Sequence, residues 1–106
     1  MTDKQYVTCN IAGDGKLFIE GNKSEAKFKI IDMSAEGINL TTKTRLLEGE
    51  AAKLKIRLNA GVVSAFIDLN GRVAKTFENG CYIEFVGLSE ATKEEIDELM
   101  RDSCDM

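Results

Sequence analysis

Three residues in the first half of the chain have types and a spacing suited to binding a polar ligand. Asp32, Ser34 and Gly37 form the pattern D-x-S-x-x-G within Ile31–Leu40. A carboxylate accepts neighbouring donors through strong charge-assisted hydrogen bonds, a hydroxyl both donates and accepts, and a glycine allows close backbone approach. The same residues also build ordinary turns, the aspartate through an Asx-turn and the glycine through a positive φ. The pattern therefore predicts either a binding corner or a simple turn.

The residues that would support catalysis are missing from the sequence. The chain has no histidine, which removes Ser-His and Cys-His nucleophile pairs and histidine-ligated metals. A lone cysteine needs neighbours that lower its pKa, and no basic residue flanks Cys81. No spacing marks two carboxylates as a catalytic pair, and no C-x-x-C pair suggests zinc. We expect a binding module with no enzymatic activity, no metal and no cofactor.

Composition places the chain among ordinary folded domains. Its 106 residues fit one domain spanning 1–106, and its net charge of −4 argues against binding the backbone of DNA or RNA. Because it has no apolar run of about 18 residues and no apolar stretch of signal-peptide type at its start, we expect a cytoplasmic protein without a membrane contact. Cys9, Cys81 and Cys104 are odd in number and widely spaced, so we expect three reduced thiols.

Alternation of apolar and charged residues predicts that most of the chain is β. The clearest case is Leu54, Ile56 and Leu58, which alternate with Lys55 and Arg57 as in a half-buried strand. Asp-Gly and Asn-Gly pairs are hairpin signals, and they occur at 14–15, 70–71 and 79–80. Residues 63–86 would then form a three-stranded meander. Further strands are expected at 6–12, 16–20, 26–32 and 38–42.

The end of the chain changes to a helical period. An apolar stripe recurs at i, i+3, i+4 and i+8, made by Ile96, Leu99, Met100 and Cys104. Thr92 and Glu95 form a capping box, which predicts a helix over about 92–103 with Asp97 on its solvent side. Six or seven short strands and one terminal helix indicate a mainly β fold, an antiparallel β-barrel with one C-terminal α-helix.

The D-x-S-x-x-G pattern, taken with the order of the predicted elements, resembles the PilZ family of bacterial cyclic di-GMP receptor domains. After the motif come the strand at 52–58, a G-x-V strand at Gly71–Val73, the segment Cys81–Ser89 and the closing helix. The resemblance covers residues 5–102. It implies that Asp32 accepts the N1–H and N2–H donors of a guanine, with Ser34 and Gly37 beside it.

The sequence departs from the family pattern in its cations. The family carries R-x-x-x-R before the first strand, where the arginines hold phosphate and the guanine Hoogsteen edge. In this sequence Lys4 is the only basic residue before Tyr6, and the first arginine is Arg45. Lys75 stands where the family's G-x-V strand often has an aromatic residue. Lys4 and Lys75 are therefore the candidate phosphate contacts, and we expect weak or no binding of cyclic di-GMP.

Three hypotheses follow. The first is a PilZ-like regulatory module of cyclic di-GMP signalling that has lost half of its nucleotide site and acts mainly through a protein partner, for example in motility. The second is a working cyclic di-GMP receptor that uses Asp32, Ser34 and Gly37 with substitute cations. The third, a small barrel for single-stranded nucleic acid, needs a basic groove with interleaved aromatics, which the sequence does not indicate. The oligomeric state is expected to be monomer or homodimer.

Overall fold

Six segments form the strands of a closed barrel in the computed structural model, which describes residues 6–19, 25–60 and 63–104. Neighbouring strands are all antiparallel, in the order β1-β2-β3-β6-β5-β4 with β4 paired to β1. The predicted antiparallel barrel with one C-terminal helix is confirmed, with six strands. They are β1 (Gly13–Ile19), β2 (Glu25–Met33), β3 (Gly37–Thr42), β4 (Ala51–Ala60), β5 (Val63–Phe77) and β6 (Gly80–Phe85).

The alternation seen in the sequence separates the interior of the barrel from its surface. In β4, Leu54, Ile56 and Leu58 are at most 1% exposed, whereas Lys55 and Arg57 between them are exposed. Successive strand side chains point to opposite faces, so burying the apolar set in the barrel places the charged set in solvent. Among the described residues the buried strand side chains are all apolar, so we look for the binding chemistry on the outer face and the ends of the barrel.

Two of the predicted hairpin turns are wrong. Asp14-Gly15 lies inside β1 and Asn70-Gly71 inside β5, so residues 63–86 form one hairpin of β5 and β6 and not a three-stranded meander. At Gly71 the strand pairs with both β4 and β6, and a Cβ there would meet the side chain of Ile83. Close packing between strands, not a turn, explains this glycine. The third hairpin is confirmed, but its connection is Glu78-Asn79, one residue earlier than predicted, because Gly80 already pairs with Phe77 as the first residue of β6.

The helix α1 (Glu90–Cys104) begins two residues earlier than predicted. Its cap is Ser89, whose Oγ accepts a hydrogen bond from the backbone N of Thr92 at 3.2 Å, so Thr92 lies in the first turn and is not the cap. Ile96 and Met100 are buried against the barrel. No helix in the described residues is long and apolar enough to cross a membrane.

The segment before β1 is attached to both the barrel and the helix. It forms a single bridge instead of the predicted strand: Cys9 N donates to Met33 O at 2.8 Å, and Met33 N donates to Cys9 O at 2.9 Å. Asp97 is 8% exposed, not solvent-facing as predicted, because its Oδ1 accepts a hydrogen bond from Val7 N at 2.8 Å. Helix and leading segment therefore close one end of the fold together.

The expectation of three reduced thiols is wrong for two of the cysteines. Cys9 and Cys104 form a disulfide with a Cα–Cα distance of 5.8 Å across a sequence separation of 95. Cys81 is free and buried. Sequence spacing did not reveal the pair, because only the packing of the helix against the leading segment brings the two ends of the chain together.

Candidate ligand-binding site

The D-x-S-x-x-G corner is the connection between β2 and β3. Ser34 N donates to Gly37 O at 2.9 Å, and Ser34 Oγ accepts from Glu36 N at 3.1 Å, which makes a local serine turn. Phe85 N donates to Glu36 O at 2.9 Å and ties the corner to β6. The Ser34 hydroxyl thus shapes the corner, and its own proton remains available to donate.

A β-bulge sets the orientation of Asp32. The register between β2 and β3 shifts between Ile30 and Asp32, so Ile31 is the extra residue and is 39% exposed. Asp32 then pairs with Asn39, whose Nδ2 donates to Asp32 Oδ1 at 2.7 Å. Asp32 Oδ2 has no hydrogen-bond partner among the described residues. The amide fixes the carboxylate and leaves one oxygen for an incoming donor.

The strand register continues this polar position across four strands. Asp32 on β2 is opposite Asn39 on β3, Asn39 is opposite Tyr82 on β6, and Tyr82 is opposite Lys75 on β5. We call these four residues the polar row. With strands about 4.8 Å apart, the row spans about 14 Å. The row joins Asp32 to Lys75, one of the two predicted phosphate contacts. The other, Lys4, lies outside the described residues.

Gly37 is needed for close packing rather than for a turn. Gly49 and Gly87 have positive φ, and Gly37 does not, so the alternative explanation of Gly37 by positive φ is wrong. A Cβ on Gly37 would lie 2.5 Å from Tyr82 Cζ and 2.7 Å from Ile83 O, which is too close for unstrained packing. The glycine therefore provides the space in which the Tyr82 ring lies beside the corner.

The electrostatics of the corner are acidic. The pKa of Tyr82 is raised, first by its burial and then by the charges of Glu36, Glu84 and Asp32. Lys75 is exposed, and its ammonium group makes no hydrogen bond or ion pair with any described residue. Because such a surface is negatively charged, it attracts the N–H donors of a nucleobase and repels phosphate unless cations are added.

One cation near the corner was missed by sequence reasoning. Arg72 on β5 is opposite Glu84 on β6, and Glu84 is opposite Gly37 on β3, so this second row runs beside the polar row. Asn39 and Tyr82 were also missed as site residues. Nothing in their local pattern distinguishes them from other outward strand positions, because the pairing of four separate strands defines the row.

The structure brings the motif residues together without the elements of a metal centre. Asp32, Ser34 and Gly37 all lie at the β2–β3 corner. Across the part of the chain that the structure describes, no group of three or more His, Cys, Asp or Glu could hold a metal ion. The site has hydrogen-bonding groups and an aromatic ring, which are the groups that recognise a polar planar ligand.

Fold and site together define a small β-barrel binding module closed by a C-terminal helix. The family model of the PilZ domain matches residues 8–102, so the chain belongs to the PilZ domain family. No curated protein sequence matches the chain significantly.

Two solved structures share the fold. The inhibitor of motility MotI/DgrA from Bacillus subtilis has a TM-score of 0.74 at 18% identity, and the match covers 94% of this chain and 50% of that one. The chain thus spans half of that protein's length. The PilZ domain of YcgR from Escherichia coli, solved with c-di-GMP, has a TM-score of 0.74 at 13% identity, with 96% and 92% covered. At these identities the likeness is one of fold.

Proposed function

We propose that the chain is a regulatory module of cyclic di-GMP signalling that contacts the nucleotide weakly and acts mainly through a protein partner. Family membership and the c-di-GMP in the structure of the E. coli relative support the signalling role. The free Asp32 Oδ2 beside Ser34 supports a guanine contact at the corner. The carboxylates of Glu36 and Glu84 near the corner disfavour phosphate, which supports weak binding.

The size of the deficit can be estimated from the cations. Hydrogen bonds to charged groups contribute about 1.5–3 kcal/mol each, so a site that lacks the family's two arginines binds less favourably by about 3–6 kcal/mol. At about 1.4 kcal/mol per tenfold change in affinity, this is a loss of about two to four decades. Lys75 offers a point charge in place of a bidentate guanidinium, and it lies three strand spacings, about 14 Å along the sheet, from Asp32.

A second candidate is a receptor that uses substitute cations. Lys75 ends the polar row that begins at Asp32, and Arg72 ends the adjoining row that begins at Gly37, so a ligand that reached along the sheet from the corner would meet both cations. In this case one guanine binds at the corner and the two cations bind phosphate. The strand register is the observation that favours this candidate.

Calorimetric titration with cyclic di-GMP separates the two. We expect binding weaker than micromolar, or no heat, for the wild-type chain. Asp68→Ala is the matched control for Asp32→Ala, since Asp68 is an exposed aspartate of β5 that belongs to neither row. Micromolar binding that is lost in D32A, kept in D68A and weakened by R72A or K75A would contradict weak binding and establish the receptor.

A further inference from the structure

A second surface, on the outer face of β2, β1 and β4, carries a row of like charges. Lys27 is opposite Lys16, and Lys16 is opposite Lys55. Residues opposite each other on neighbouring strands have Cβ atoms about 5 Å apart, and like charges in these positions repel. The repulsion is reduced where Glu25 contacts Lys16 and where Asp68 is opposite Lys55, and an anion bound across the row would reduce it further.

The chain's own carboxylates neutralise this surface only in part. Lys16 Nζ is 3.5 Å from Glu25 Oε1, and Arg57 donates to both oxygens of Asp14 at 3.0 and 2.9 Å. By contrast, the ammonium groups of three further lysines make no hydrogen bond or ion pair with any described residue: Lys27, Lys29 and Lys43. These ammonium groups are available to a partner.

The lysines line an open groove of about 1280 Å³, which we call the basic groove. Six basic and four acidic side chains line it, whereas the whole chain has 14 basic and 18 acidic residues. The groove is thus positive in a negative protein. Its volume exceeds the usual range for small-molecule pockets, about 300–1,000 Å³, and suits a segment of polypeptide.

An exposed aromatic residue adjoins these charges. Phe66 lines the basic groove and is 76% exposed, and it is opposite Arg57 in the β4–β5 register. Aromatic residues surrounded by polar groups are the usual anchors of protein interfaces. Phe66 would give an apolar contact between charged ones.

We propose that the basic groove binds an acidic segment of a partner protein. Asp or Glu side chains of this segment contact the row of Lys27, Lys16 and Lys55, and an apolar residue packs over Phe66. The basic groove would then be the place where the partner protein of the proposed function binds. This proposal rests on the proposed function, because that function calls for a protein partner.

The same observations argue against other occupants. Four carboxylates within the lining repel the continuous charge of a nucleic acid, and a bilayer surface is flat where the groove is concave. A second copy that inserted its own acidic helix would form a dimer, a ring or a filament, so the size of the chain in solution reveals that occupant.

The test is an NMR titration of the full chain without nucleotide. The probe is a synthetic helical peptide rich in Asp and Glu with a central Leu, and its control has Asn and Gln in the acidic positions. We expect the acidic peptide to shift amides of β1, β2 and β4 and the Phe66 ring, less so at high salt. Lys16→Glu with Lys55→Glu should weaken binding about tenfold or more, and Phe66→Ala about fivefold.

Two controls make the result specific. Lys93→Glu changes a lysine of α1 that is not in the basic groove and should bind as wild type. Asp32→Ala should also bind as wild type, so a failure at the nucleotide corner is separable from a failure here. The proposal is overturned if the two peptides bind equally or not at all, or if oligo-dT or anionic vesicles bind more tightly. It is also overturned if K16E/K55E dissociates a dimer of the wild-type chain.

Discussion

Breaking the link between Cys9 and Cys104 should remove a large part of the stability of the domain. The disulfide joins the segment before β1 to the last residue of α1 and closes a loop over a separation of 95. In the chain-entropy model a disulfide stabilises the folded protein mainly because the cross-link lowers the conformational entropy of the unfolded chain. The reduced chain should therefore unfold more easily even where its folded contacts are unchanged.

The magnitude follows from the loop length. For a loop of nearly 100 residues the loop-closure relation gives about 4.7 kcal/mol at 25 °C. Small domains have unfolding free energies of about 5–15 kcal/mol, so a third or more of the total is at stake. At about 4 °C per kcal/mol for a domain near 100 residues, the Tm should fall by about 20 °C.

The assay compares thermal unfolding of wild type, oxidised and reduced, with Cys104→Ser. Cys104 is exposed, so its replacement removes the link without emptying a core position. Cys81→Ala is the control, because Cys81 is outside the disulfide and this variant should keep its response to reductant. Alkylation of the denatured chain should label one thiol before reduction and three after it.

Two results would refute this reasoning. Labelling of all three thiols in the unreduced, air-purified chain would show that the link does not form. An unchanged Tm on reduction, with the link shown to be present by alkylation, would show that its constraint on the unfolded chain contributes little.

Three further predictions concern single side chains. Gly37→Ala should cost about 1–3 kcal/mol in urea unfolding, because its Cβ would crowd the Tyr82 ring and a backbone carbonyl; an unchanged midpoint would contradict that packing. Burial raises the pKa of Cys81 from 9.0 to about 11. As the pH rises, the thiol therefore loses its proton in the unfolded chain before it does so in the folded chain. Stability should be unaffected by this group below pH 9 and fall by about 2–3 kcal/mol between pH 9 and 11, and an equal decline in Cys81→Ala would disprove it. Asp97→Ala leaves Val7 N without its 2.8 Å acceptor and should cost about 1–3 kcal/mol, measured against Glu98→Ala, an exposed neighbour on the same helix.

Sequence alone was sufficient where the signal is periodic. The alternation of Leu54, Ile56 and Leu58 with lysine and arginine predicted β4 and its inward face, and the helical stripe predicted α1, because burial of one face imposes a period of 2 or 3.6 residues. The strand order and the D-x-S-x-x-G pattern were enough for the family. Local turn signals were less dependable: two of three Asp-Gly and Asn-Gly pairs lie inside strands, where neighbouring strands pack closely and supply the hydrogen bonds a turn would otherwise need.

Only the tertiary structure decided what is adjacent to what. The polar row from Asp32 to Lys75, the pairing of Cys9 with Cys104 and the burial of Asp97 all join positions far apart in sequence. Local propensity carries no information about such contacts, since the register of each strand pair depends on which side chains the closed barrel can bury together. The types of residue available for binding were thus determined by the sequence, and their arrangement into rows by the pairing of the strands.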